Sequence, residues 1–103
     1  MKVSNLTSNR SGEAVRNQFC IAHDGYTWFQ SYDSMIAKWG NNKLVLGKDW
    51  DYSSTTKKYL HQWMNENCYH FLSQLESSYS GSFGQIIQKA IDNGDIVYGV
   101  NMD

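Results

Sequence analysis

Proline is absent from this chain, which leaves no polyproline segment and no proline-rich linker. Cysteine occurs twice, at Cys20 and Cys68, too few for a disulfide scaffold; both are read as reduced thiols. No run approaches the roughly 18 apolar residues of a membrane-spanning helix. The start, MKVSNLTSNR, lacks the apolar segment of a secretory signal. A cytoplasmic location with no membrane partner is therefore expected. Net charge is −1, so no global field draws the chain toward nucleic acid or lipid.

Catalytic patterns are scarce as well. There is no GxSxG elbow for a serine nucleophile. The SGSFG run lacks the lysine and the spacing of a phosphate-binding loop. Cys20 and His23 stand three apart, which on a strand sends them to opposite faces. His61, Cys68 and His70 do not form the tight pairs that a zinc site uses. Asp49 and Asp51 flank Trp50 where a strand gives way to a helix, a place where an acid serves as a cap. The expectation is a non-enzyme with no catalytic residue, no metal ligand set and no cofactor.

What the chain does have is aromatic surface. Aromatics make up 15% of its 103 residues, with four Trp and seven Tyr. Such rings build a heavy core or anchor an interface. Hydrophobic residues at 41% and charged residues at 18% place the chain among globular domains, long enough for one core without staples. Charge is uneven. Residues 1–48 carry six basic against three acidic residues, and residues 49–103 carry three against seven. One mildly basic and one acidic face would follow, or ordinary surface charge.

Periodicity sets out the elements. In QFCIAHDGYTWFQSY, Asp24-Gly25 between two apolar runs signals a tight hairpin. That loop pairs His23 with Tyr26, Ile21 with Trp28 and Phe19 with Gln30 on one face, and Cys20 with Phe29 on the other. In DSMIAKWGNNKLVLG, Asn41-Asn42 tolerate the positive φ of a second hairpin, which pairs Trp39 with Leu44 and Ala37 with Leu46.

After Trp50 the period becomes helical. Leu60, Trp63, Met64, Cys68, Phe71, Leu72 and Leu75 keep spacings of three and four, in one helix over about 54–77 or in two that break near NENC. Ser82-x-x-Gln85 is a capping box for a last helix, with Phe83, Ile86, Ile87, Ala90 and Ile91 as its stripe and Gly94 just past its end. In DIVYGV, Ile96, Tyr98 and Val100 alternate inward. The expected architecture is one α+β domain over 1–103, with 1–48 mainly β, 50–93 mainly α and 95–101 a final strand. It comprises an antiparallel sheet of about four to five strands with two or three helices packed on one face.

Two stretches carry the candidate binding residues. YTWFQSY places Tyr26, Trp28, Gln30 and Tyr32 on one strand face, where rings either cover the core or stack bases while Lys38 or Lys43 reaches phosphate. WDYSSTTKKY reads as a helix start capped by Asp51, Ser53 or Ser54. There Tyr52, Tyr59 and Trp63 fall near one line, and Lys57 and Lys58 face solvent, open to an anion or a partner.

Taken together, RNQFCI, WFQSYDSMIAK, WDYSSTTKKYLHQW and NGDIVYGVN resemble a family of small proteins of phages and other mobile elements. The likeness spans about residues 15–63 and 83–101. MNENCYHFLSQLESSYSGS reads as an insertion, and the last helix is less basic than in those proteins. The resemblance implies an accessory protein that binds a host component. The expected partner is a protein or ribonucleoprotein of a defence system, such as a CRISPR–Cas effector, in the host cytoplasm. Tyr26, Trp28, Gln30, Tyr32, Lys57 and Lys58 are the expected contact residues. A single-stranded nucleic-acid module on the aromatic face is the alternative, and a homodimer through exposed rings is a further expectation.

Overall fold

Two turns that require positive φ set the register of the sheet. A computed structural model describes residues 1–100. Asp24 (φ 54°) and Gly25 (φ 78°) join β2 (Ala14–His23) to β3 (Tyr26–Ser31). Asn41 (φ 52°) and Asn42 (φ 57°) join β4 (Ser34–Gly40) to β5 (Lys43–Gly47). These are residues that reach the left-handed region at low steric cost. Each turn delivers the register expected from it. His23 faces Tyr26, Ile21 faces Trp28 and Cys20 faces Phe29, while Trp39 faces Leu44 and Ala37 faces Leu46.

The sheet is larger than expected and not wholly antiparallel. β1 (Lys2–Thr7) adds antiparallel to β2, and β6 (Val97–Val100) lies parallel to β5, giving six strands in the order β1-β2-β3-β4-β5-β6. The direction of β6 follows from its connection. Three helices separate it from β5, and a long crossover returns the chain to the end of the sheet where β5 began. The side chain of Val100, and residue 101, fall outside what is described.

Between Asn67 and Tyr69 the helical run breaks, giving α1 (Ser54–Asn67) and α2 (Tyr69–Ser78). Cys68 leaves the helical region (φ −141°, ψ 49°), although its N–H still donates to the Met64 carbonyl at 2.8 Å. The Asn67 side-chain amide donates to the Trp63 carbonyl at 2.9 Å, an asparagine competing for helix backbone. α3 (Phe83–Asp92) has the expected capping box between Ser82 and Gln85, and Gly94 follows it at φ 86°.

All three helices cover one face of the sheet. Phe29, Ala37, Leu44 and Leu46 come from the strands and meet Leu60, Trp63, Leu72 and Ile87 in one buried cluster. Phe29 stacks on Trp63, and Trp39 meets Phe71 with ring centroids 5.3 Å apart. Phe29 faces Ala37, but Gln30 faces Met35, so Ile36 is an extra residue in β4. This bulge lets Ile36 and Ala37, adjacent in sequence, both enter the core.

Candidate functional site

With Phe29 turned toward the helices, strand alternation turns Tyr26, Trp28 and Gln30 to the opposite face. That face holds a row across the whole sheet. Val3, Ile21, Trp28, Lys38, Val45 and Val97 stand side by side in register, one from each strand. Five of the six are apolar, and Trp28 lies near the centre. Ile21 is 8% exposed although no helix packs on its side, while Val3 and Val97 at the two edges are about half exposed. Alternation along six strands produces such a row only if the outward positions are apolar at the same level, which most solvated sheet faces avoid.

Lys38 is the polar member, and its ammonium is held by the rings around it. Nζ lies 4.1 Å from the Tyr26 ring centroid and 5.1 Å from that of Trp28. Both fall within cation–π range. Tyr26 is fixed further by its hydroxyl, which accepts from the Asn41 side-chain amide at 3.0 Å. Its ring fills the space over Gly40, where an added Cβ would come within 2.2 Å of Cδ1. The Trp28 indole N–H is covered and has no hydrogen-bond partner.

The other expected contact residues do not join this cluster. Tyr32 is not on the strand. It sits in the β3–β4 turn at φ 53°, with its N–H donating to the Asn17 carbonyl at 2.7 Å. The Gln30 side-chain amide folds back onto the Tyr32 carbonyl at 2.7 Å, so Gln30 braces that turn. Lys57 is half buried rather than free in solvent, and its side chain runs past Gly84 at the start of α3. Lys58 is exposed, with its ammonium 5.2 Å from the Tyr59 ring centroid. Tyr52 precedes the helix and is 82% exposed, so it does not share a line with Trp63. Ser53 is the cap that α1 uses, its hydroxyl accepting from the Thr56 amide at 3.1 Å. Thr56 itself is buried.

Lys38 was named in the sequence only as a phosphate contact. Its place between two rings has no local sequence signal: Lys38 stands opposite Trp28 only because β4 bulges at Ile36 in its pairing with β3. Val3 and Val97 lack one as well, because nothing local tells which strands they flank.

Both thiols are poor nucleophiles. Burial pushes the Cys68 thiol up to about 12, and burial raises that of Cys20. Among the described residues no three His, Cys, Asp or Glu side chains gather as a metal ion needs. No described helix is long and apolar enough to cross a membrane.

Comparison with curated proteins and with solved structures gives no match. A family match does exist, over residues 1–79, which include β1 to β5, α1 and α2 and therefore five of the six residues of the row. The chain belongs to that family, a family of unknown function (DUF8033).

Proposed function

We propose that the chain is a protein-binding accessory protein whose contact surface is the helix-free face of its sheet. The observation that carries this reading is the cross-strand row from Val3 to Val97, centred on Trp28 and Lys38. Tryptophan is the residue type most enriched at the energetic centre of interfaces, and an apolar centre with a single cation suits a protein partner. The likeness to phage and mobile-element proteins supports a partner in the host cytoplasm. A component of a defence system, such as a CRISPR–Cas effector, is the class proposed. No reaction is assigned to the chain.

A plaque assay tests this on hosts with and without an active defence system. Expression of the chain should restore phage growth only where the matching defence is present, and Trp28→Ala should abolish the effect without unfolding the protein. No rescue against any defence system would remove the reading.

Single-stranded nucleic acid is the second reading, supported by the half-buried aromatic pair Tyr26 and Trp28 on the helix-free face. Lys38 weighs against it, because its ammonium already occupies the ring faces on which bases would stack. Salt-dependent oligonucleotide binding that Trp28→Ala abolishes would favour it, and no binding at low salt would end it. Light scattering tests the homodimer. A dimer broken by Trp28→Ala would make this face a contact between two copies.

A further inference from the structure

We propose that a second site lies in the cleft between the β3–β4 turn and the start of α1, and that its ligand is a neutral saccharide. The cleft measures about 600 Å³, within the usual range for small-molecule sites. It is separate from the open sheet face: Ser31, Tyr32 and Ser34 approach it from the turn, and Tyr52, Thr55 and Thr56 from the segment that begins α1.

The inner wall of the cleft is polar. Ser31 lines it and is 4% exposed. Its cross-strand neighbour Gln18 is 1% exposed, and its side-chain carbonyl is unpartnered. A buried carbonyl without a partner is unusual, because it leaves a desolvation penalty uncompensated. A ligand with donors and acceptors in the cleft would meet the Ser31 hydroxyl directly.

Charge narrows the ligand. No lysine or arginine lines the cleft, whereas Asp33 and Asp49 do, so an anion meets repulsion despite the helix N-terminus. A cation is opposed as well. Asp49 is already paired with Lys48 at 3.2 Å, and the helix end is positive. A neutral molecule remains. Seven of the ten lining residues carry a hydroxyl, which both donates and accepts, as sugar hydroxyls do. Tyr32 and Tyr52 are 60% and 82% exposed, placing two rings where the C–H face of a sugar can lie against them. Asp33 supplies a charged acceptor for a pair of neighbouring hydroxyls.

The test is a titration of the ¹⁵N-labelled chain, followed by amide shifts. The probes are methyl glucoside, methyl galactoside, N-acetylglucosamine and ribose, with inorganic phosphate and guanidinium as charged controls. Saturable shifts at Ser31, Tyr32 and Thr55 are expected with at least one sugar and with neither control. Ser31→Ala should weaken that binding about tenfold while the rest of the spectrum stays in place. Asp33→Asn, at an exposed turn position, should weaken it in the same direction and serves if the Ser31 variant fails to fold. The proposal is overturned if no sugar saturates the site, if a charged control shifts the same amides instead, or if both variants bind as the parent does. Loss of this site would leave the sheet-face reading untouched, since the two share no residue.

Discussion

Phe29 and Trp63 stack across the boundary between sheet and helix, with ring centroids 6.1 Å apart and ring planes at 25°. Both are fully buried, so this contact fixes α1 over β3. Trp28, the neighbour of Phe29, points the other way. One strand therefore serves two purposes, the core through its odd positions and an outer surface through its even ones.

Replacing the two tryptophans should separate those purposes. Trp63→Ala opens a core cavity and should lower stability by about 3–5 kcal/mol, a large part of a typical domain's ~5–15 kcal/mol. Trp28→Ala should lower it by only about 1–2 kcal/mol, because Trp28 is only partly buried and lies outside the core cluster. Urea unfolding of both variants checks the contrast.

Gly40→Ala should act through a neighbour. The added Cβ would meet the Tyr26 ring at 2.2 Å, so the ring must leave its place. Its contacts with Lys38 and Asn41 should go with it. A loss of about 1–2 kcal/mol is expected, in the range of overpacking changes. The Tyr26 ring resonances and the melting temperature report both effects.

Tyr32→Asn should stabilise the fold. A tyrosine at φ 53° holds a conformation that costs an ordinary side chain roughly 1–2 kcal/mol, and asparagine tolerates it. A gain of about 0.5–1 kcal/mol is expected in urea unfolding. The same change removes a ring from the cleft, so saccharide shifts should weaken as stability rises.

Stability should fall in alkali through Cys68. Its thiol is held up to about 12 in the folded chain, whereas an unfolded cysteine ionises near 9. The folded state therefore keeps a proton that the unfolded state has lost between those two values. The contribution is fully present below about pH 9 and is lost progressively above it, by at most about 1.4 kcal/mol per pH unit. Urea midpoints measured from pH 8 to pH 11 should fall less steeply in Cys68→Ala than in the parent.

The parts of the fold legible in the sequence are those fixed by a few adjacent residues. Asp24-Gly25 and Asn41-Asn42 admit one turn geometry each, and the pairing of four strands follows from it. The Ser82–Gln85 box is likewise local. What the sequence hid depends on distant partners. The direction of β6 is set by the helices packing on one face, and Ile36 enters the core only because β4 bulges opposite Phe29. Tyr32 read as a strand residue because F-Q-S-Y alternates; its turn is imposed by the hydrogen bond to Asn17, fifteen residues earlier. Of the candidate site, Tyr26 and Trp28 were legible through the hairpin. The row that surrounds them needed all six strands in place.

The parallel pairing of β5 with β6 imposes an order on synthesis. Val45 and Val97 are partners 52 residues apart, so their closure waits until the helices exist. At a ribosome, β1 to β5 emerge first as a local meander whose inner face, with Phe29 and Leu46, is still bare. The nascent chain is stickiest during the seconds it takes to add α1 and α2, and an early partner on either face of the meander would compete with its own helices.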